Sequence, residues 1–286
     1  MTVGPITRAA VLGSPIAHSL SPVLHTAAYQ AIGLAGWSYE AIECGEARLG
    51  DLLGSCGPDW AGLSLTMPLK RAVLPLLDHA EPLVGEVGGA NTVVFAGGAR
   101  HGYNTDVPGM IAALAEAGAA LTGPALILGG GATACAALAA LRGLGADGAT
   151  VAVRNPATAG ALLAAASRLG MRVRLTAFGQ EQHARDTQLV ISTVPALAAD
   201  IYAKRIHPSA LAPSAILDVV YHPWPTRLAA AARQAGAVVA GGFELLLHQA
   251  ARQVELMTGK DAPLPAMRNA GLAELERRAA VPRPGS

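Results

Sequence analysis

Charge is scarce in this chain: only 14% of its 286 residues are acidic or basic, the formal net charge is +1, and lysine and arginine never run beyond two in a row. The electrostatic footprint of a nucleic-acid-binding protein is therefore missing. Aromatic residues are equally sparse at 4%, while hydrophobic residues reach 52% with alanine and glycine abundant, so small side chains must pack closely and disorder is excluded for most of the length. Cysteine occurs only at Cys44, Cys56 and Cys135, without a CxxC pair and without metal-ligand spacing to histidine. These read as free thiols in a reducing, cytoplasmic compartment. His25, His79, His101, His183, His207, His222 and His248 do not cluster either, so no metal site is expected and the histidines read as structural or surface residues.

The start of the chain has no signal-peptide stretch, because Thr7 and Arg8 interrupt the apolar residues at once. No charge falls between Glu116 and Arg142, but Pro124 and Gly129-Gly130-Gly131 sit inside that segment. A strand, a tight turn and a buried helix account for it better than a membrane span. Internal repeats and low-complexity linkers are absent as well, and the tail Pro282-Arg283-Pro284-Gly285-Ser286 reads as loose.

What is present is an α/β pattern in two series, with a length that points to two domains. In the first, Ala9 to Leu12, Trp37 to Ile42, Ala61 to Thr66 and Asn91 to Phe95 read as strands. Pro22 to Ala31, Glu46 to Leu53, Leu69 to Leu77 and Val107 to Ala117 read as helices. The second series is more regular. Ala125 to Leu128, Thr150 to Val153, Val173 to Thr176, Leu189 to Thr193, Ile216 to Val219 and Ala237 to Val239 are strand candidates, and Ala132 to Leu141, Ala157 to Leu169 and Thr226 to Gln234 are helix candidates. This predicts a doubly wound parallel sheet. A final helix over Phe243 to Met257 is expected to return to the first domain, giving a domain of residues 1–107 and 243–286 and another of residues 108–242.

Gly129, Gly131 and Ala134 form GxGxxA between an apolar strand and an alanine-rich helix. Two glycines allow the tight bend and close backbone approach to a pyrophosphate, and the helix N-terminus faces the anion. The end of the next strand offers no acid for an adenosine 2′-hydroxyl; it carries Arg154, a planar charged fork suited to a 2′-phosphate, followed by Asn155. The expected cofactor is NADP. Its candidate contacts are Gly129, Gly130, Gly131, Ala132, Arg154 and Asn155, joined by Thr193 and Val219 at later strand ends and by Gly242.

Upstream, Ser21 is placed as an N-cap with Pro22 as first helical residue, and Ser19 adds a second hydroxyl beside that helix start. Capping explains Ser21, whereas the two hydroxyls together also suit a small carboxylate. Thr66 closes a strand, Lys70 lies one turn beyond Pro68, and Asp106 precedes a helix. Singly, a surface lysine and a helix cap explain Lys70 and Asp106.

Read together, these residues resemble the shikimate dehydrogenase family along essentially the whole chain. The run from Gly13 to Pro22 is similar to its opening signature, Gly62 to Lys70 to its G-x-N-V-T-x-P-x-K segment, and Ala90-Asn91-Thr92 and Asn104-Thr105-Asp106 to its next motifs. Asp218-Val219-Val220-Tyr221, Pro223, Thr226, Gly242 and Gln249-Ala250 continue the match. The resemblance implies reversible reduction of 3-dehydroshikimate to shikimate by NADPH, on the way to aromatic amino acids. It implies that Ser19 and Ser21 hold the substrate carboxylate, that Thr66, Asn91, Asp106, Tyr221 and Gln249 contact the substrate, and that Lys70 and Asp106 form a catalytic dyad. Gly242 would bring backbone close to the nicotinamide. The partner is then a small molecule, with no nucleic acid and no membrane, and both a monomer and a homodimer are compatible with the chain. A quinate/shikimate dehydrogenase of broader substrate and cofactor use is the nearest alternative, followed by a methylenetetrahydrofolate dehydrogenase and a silent NADP-binding regulator.

Departures from the pattern are as informative. Ser64 stands where the family has asparagine, so a polar contact is shortened or lost there. Val107 replaces a glycine and Gly89 an alanine, both as packing changes, and Leu245 replaces a methionine.

Overall fold

A computed structural model describes residues 7–180, 186–206 and 213–280; His183, His207 and the tail from Pro282 lie outside the described residues. The first series of elements runs β1 (Thr7–Gly13), α1 (Ser21–Ala31), β2 (Trp37–Glu43), α2 (Glu46–Ser55), β3 (Trp60–Leu65), the single turn α3 (Leu69–Ala72), β4 (His79–Ala80), α4 (Pro82–Val87), β5 (Thr92–Ala96) and β6 (Ala99–Tyr103). Its sheet has the order β2-β1-β3-β5-β6-β4, parallel around β1 and antiparallel from β3 through β5 to β6. The β5–β6 hairpin turns on Gly97 and Gly98, whose φ values of 59° and 78° are those of the primed turns that match strand twist.

Alternation along the strands separates the two faces. Ala10, Leu12, Leu63, Leu65 and Val93 join Leu49, Leu53, Leu69 and Val84 in an apolar core. The opposite parity, Ala9, Val11, Gly62, Ser64 and Thr92, carries small or polar side chains, and this face holds the polar network described below. The expected helix over Leu69 to Leu77 stops after Ala72 and gives way to a 3-10 turn at Leu74–Leu76. Pro75 is the cause: it has no N–H for the helical ladder and restricts Leu74 before it.

The second series runs α5 (Asp106–Glu116), β7 (Ala125–Leu128), α6 (Ala132–Gly143), β8 (Gly148–Val153), α7 (Gly160–Leu169), β9 (Arg172–Ala177), β10 (Leu189–Ser192), α8 (Asp200–Ala203), β11 (Ala215–Asp218), α9 (Arg227–Gln234) and β12 (Val238–Ala240). The sheet order is β12-β11-β10-β7-β8-β9, and every pairing is parallel, as expected for a doubly wound fold. Its central strands β7, β10 and β11 are buried throughout, because helices cover both faces. Helix α6 buries every residue from Ala134 to Leu141, which its alanines permit by letting neighbours approach closely. The uncharged segment around Pro124 is thus β7, a turn and α6, and among the described residues no helix is long and apolar enough to cross a membrane.

Two helices close the chain, α10 (Gly242–Thr258) and α11 (Leu264–Ala280). Two compact units result: residues up to Val84, Gly89–Thr105 and those from Gln249 onward form the first, and Gly85–Gly88 with Asp106–His248 the second. The second unit thus keeps the first part of α10, up to His248, and the first unit takes the rest of α10 and α11. Helix α11 has no counterpart in the sequence reading, since its only buried residues are Met267 and Gly271 and no apolar stripe marks it.

Candidate active site

In the first unit, the start of α1 differs from the expected cap. The helix begins at Ser21 with Leu20 as N-cap, and no side chain caps it. Ser19 instead accepts the Ser21 N–H at 3.2 Å, while the Ser21 hydroxyl is buried and hydrogen-bonded to Tyr39. The order Ser-Leu-Ser-Pro fits an N-cap at Ser21, but the backbone of Leu20 is already helical, at φ −90° and ψ −9°, which moves the cap position upstream. From α11, Arg278 donates to the carbonyls of His18 at 2.6 Å and Ser19 at 3.4 Å, and Glu274 holds that guanidinium at 2.7 Å. The serine loop is thereby fixed from outside.

Thr66 follows β3 and packs so closely on Gly13 that a Cβ at Gly13 would lie 2.3 Å from its methyl group. Lys70 is half-buried in α3, anchored by fully buried Leu69 beside it and by its own carbonyl, which accepts the Ala90 N–H at 2.8 Å. The next residue, Asn91, is buried. Its amide oxygen accepts the Thr105 N–H at 2.8 Å, and its NH2 donates to Thr105 Oγ1 at 2.9 Å and to Gln249 Oε1 at 3.0 Å. Asn91 and half-buried Gln249, expected separately, are thus direct partners.

Beneath this amide pair lies a buried network that the sequence did not reveal. Tyr39 donates to Ser64 Oγ at 2.6 Å, Ser64 donates to Gln253 Oε1 at 2.8 Å, and Gln253 Nε2 donates to Thr92 Oγ1 at 3.0 Å. Ser64, where asparagine was expected from the resemblance, is spent on protein partners. His25 stacks on Tyr39 with ring centroids 3.9 Å apart and lies 3.4 Å from Gln253 Oε1. One cue existed in the sequence: Gln249 and Gln253 share a helix face at i, i+4.

In the second unit, Gly129 sits at the end of β7 with φ 114°, and a Cβ there would lie 2.4 Å from Thr193 Oγ1. Thr193, just past β10, donates that hydroxyl to the Leu128 carbonyl at 2.7 Å. Because β7 and β10 are the neighbours at which strand order reverses, both residues lie at the switch point where such sheets bind ligands. Gly130 lies against Val153, while Gly131 is the exposed N-cap of α6, where a Cβ would meet nothing within 4 Å, and Ala132 starts the helix. Arg154 is exposed beyond β8. Asn155, also exposed, caps the 3-10 turn Pro156–Thr158, accepting the Ala157 N–H at 3.0 Å.

Gly242 approaches the β11 end so closely that a Cβ would lie 2.3 Å from the Val219 carbonyl oxygen. Asp218, fully buried before Val219, accepts the Thr226 hydroxyl at 2.6 Å; burial pushes its carboxyl up, against the pull of that hydroxyl and the Val220 N–H. Tyr221, half-buried, follows two residues on, and Asp106 is the buried first residue of α5 rather than the residue before it. His248 Nε2 lies 2.6 Å from Glu116 Oε2, which ties α10 to α5. Leu245 is buried as well. Among the described residues, no group of three His, Cys, Asp or Glu could hold a metal ion.

A mixed α/β unit with a buried amide pair and a serine loop, together with a parallel sheet bearing a glycine turn at its switch point, defines a two-unit protein of the dinucleotide-binding class. A model of the shikimate dehydrogenase substrate binding domain matches residues 11–93, and one of the shikimate 5′-dehydrogenase C-terminal domain matches residues 242–270. A curated shikimate dehydrogenase (NADP(+)) from Thermus thermophilus is 38% identical over 95% of this chain and 98% of its own length. Among solved structures, Mycobacterium tuberculosis shikimate dehydrogenase matches with 44% identity and a TM-score of 0.84, over 93% of this chain and 99% of the other. The shikimate 5-dehydrogenase from a second strain of Thermus thermophilus, in complex with NADP(H) and shikimate, matches with 33% identity and a TM-score of 0.80, over 94% and 99%. Quinate dehydrogenase from Corynebacterium glutamicum in complex with NAD matches at 27% and 0.81, over 94% and 99%. The chain belongs to the shikimate dehydrogenase family.

Proposed function

We propose that the protein is an oxidoreductase that reversibly reduces 3-dehydroshikimate to shikimate with NADPH, in the route to aromatic amino acids. The observation that carries this reading is the relative that holds both NADP(H) and shikimate and matches over nearly the full length of both chains. The first unit serves as substrate domain and the second as NADP domain. Its residues fit a dinucleotide: the glycine turn leaves room where Cβ atoms would collide, the α6 N-terminus is open, and Arg154 is exposed for a 2′-phosphate. Gly129, Gly130, Gly131 and Ala132 would cradle the pyrophosphate, with Asn155 shaping the turn after Arg154. Thr193, Val219 and Gly242 would line the nicotinamide end. Bound NADPH supplies the hydride.

The protein's own groups do the rest. Ser19 and Ser21 hold the carboxylate of the substrate, and Thr66, Asn91, Tyr221 and Gln249 bind its hydroxyls. Lys70 donates a proton to the carbonyl oxygen as that oxygen gains charge, and Asp106 contacts the substrate and orients the lysine. The cysteines are free, and burial pushes the Cys56 thiol up to about 11, in keeping with unreactive thiols in a cytoplasmic protein.

The test follows NADPH oxidation with 3-dehydroshikimate and NAD reduction with quinate on one sample of pure protein. Turnover with the first pair is expected. Turnover only with quinate and NAD would make the protein a quinate dehydrogenase, and none with either would make it a nucleotide-binding regulator. Cofactor choice has its own expected result. A charged hydrogen bond contributes about 1.5–3 kcal/mol, so Arg154→Ala should weaken NADPH binding by about ten- to a hundredfold and leave NADH nearly untouched. Equal losses in fluorescence titrations with the two cofactors would remove Arg154 from 2′-phosphate recognition.

A further inference from the structure

Amide side chains present a donor and an acceptor, and which end faces a ligand decides what that ligand must offer. For Gln249 the surrounding protons fix the answer twice. A backbone N–H can only donate, so Thr105 N, 2.8 Å from the Asn91 side chain, requires the amide oxygen there. The Asn91 NH2 then faces Gln249 and requires the Gln249 oxygen in return, at 3.0 Å. The second anchor arrives from the opposite side. Tyr39 has one proton, given to Ser64; Ser64 passes its own to Gln253 Oε1, which leaves the Gln253 NH2 facing Thr92 at 3.0 Å and Gln249 Oε1 at 3.4 Å. Both anchors demand the same orientation.

The geometry that allows this is written into the sheet. Tyr39 of β2 is in register with Ala9 of β1, and Ala9 with Gly62 of β3, so two small residues continue its row. Ser64, two residues beyond Gly62, pairs directly with Thr92 of β5, and Gln253 of α10 reaches both. Burial keeps the Tyr39 phenol protonated and so able to donate, with its ionisation pushed well above the ordinary range.

From these contacts we infer that Tyr39, Ser64 and Gln253 are positioning residues, which hold Gln249 with its amide oxygen inward and its NH2 directed to the substrate as a hydrogen-bond donor. The group recognised is accordingly an acceptor oxygen of the substrate. The inference rests on the dehydrogenase reading above and assigns Ser64 a role unlike a direct ligand's. It also ties the replacement of asparagine by Ser64 to the presence of the Tyr39 hydroxyl, which completes the chain of donors.

The test is steady-state oxidation of shikimate with NADP by Tyr39→Phe, Ser64→Ala and the double variant, each with its melting temperature. Tyr39→Phe removes one oxygen and keeps the ring against His25. It is expected to raise KM for shikimate by about three- to tenfold, the worth of one neutral hydrogen bond, with kcat and KM for NADP within about twofold of wild type. Since both substitutions interrupt one chain, the double variant should lose about as much as the larger single loss, not the product of the two. A purely structural role would lower the melting temperature without selectively raising KM for shikimate. Unchanged KM in Tyr39→Phe, or multiplicative losses in the double variant, would overturn the relay. A wild-type protein that does not turn over shikimate would instead overturn the dehydrogenase reading. Should Ser64→Ala fail to fold, Tyr39→Phe decides alone.

Discussion

Lys70→Ala is expected to lower kcat for shikimate oxidation by about a hundred- to ten-thousandfold, the usual worth of general acid/base help, with a much smaller change in KM. Reduction of a ketone leaves an oxygen that gains negative charge and then a proton, and only a group placed at that oxygen stabilises the transition state more than the ground state. Lys70 has the required rigidity. Its helix is a single turn, which would fray alone, but Leu69 is fully buried on one side and the Lys70 carbonyl is tied to Ala90 on the other. Ala90 leads directly into Asn91, so the backbone that carries the lysine and the one that carries the amide pair move together. Lys70→Arg separates two roles. Arginine keeps the charge but does not release a proton, so kcat should stay low if Lys70 is the acid and should recover in large part if charge alone matters. A normal kcat in Lys70→Ala would remove the residue from the mechanism.

The regular parts of this chain were legible because local pattern and tertiary surroundings agree. The strand Ala125–Leu128 is an unbroken apolar run, and it is a central strand covered on both faces. The glycine turn could be placed because its strand and helix flank it in sequence. Elements whose stability comes from elsewhere were not legible. Strand β6 (Ala99–Tyr103) carries Arg100 and His101 and has no apolar alternation; it exists because β5 pairs with it across Gly97-Gly98, and because Arg100 is held by Asp78 at 2.9 Å. Helix α11 resists sequence reading for a similar reason: its charges pair along its own length, Glu274 with Arg277 at 2.7 Å, instead of marking an apolar face. In the site, Asn91 and Gln249 are far apart in sequence, and only a family resemblance named both. Tyr39 and Ser64 meet through strand register and Gln253 reaches them from α10, which no local spacing reports. Ser21 shows the opposite error. Its neighbours spell an N-cap, but Leu20 before it is already helical and the Ser21 hydroxyl turns inward to Tyr39.

The same network makes the fold sensitive to acid. His25 is fully buried against Tyr39 and Tyr29, its nearest polar partner is the Gln253 amide, and burial pushes its pKa from 6.5 to about 3 despite that hydrogen bond. The folded protein therefore keeps His25 neutral where the unfolded chain would protonate it. Between these values the unfolded state binds more protons, so stability falls as pH falls. The contribution is complete above about pH 6.5 and is lost progressively toward pH 3, and at 1.36 kcal/mol per unit the whole window is worth on the order of 4–5 kcal/mol. For a domain stable by about 5–15 kcal/mol this is enough to approach unfolding.

Other groups add their own pH dependence. The Asp78 and Glu274 carboxyls, held at about 2 by Arg100 and by Arg277 and Arg278, contribute stability that is lost only below the ordinary carboxylate range. Asp218, raised by burial, acts with the opposite sign, because its folded form takes up a proton first. Urea unfolding of wild type and His25→Phe at pH 7, 5.5 and 4.5 isolates the histidine by difference, because the two proteins share every other titrating group. Wild-type stability should fall by up to about 1.4 kcal/mol per pH unit through this range from His25 alone, the limit for one proton. His25→Phe keeps a ring against Tyr39 and has no proton to bind; it should start less stable at pH 7, having lost the Gln253 contact, and then change less with pH than wild type. A variant with the same slope as wild type from pH 7 to 4.5 would show that His25 is protonated in the fold, with a charge beneath the amide pair that the relay could not accommodate.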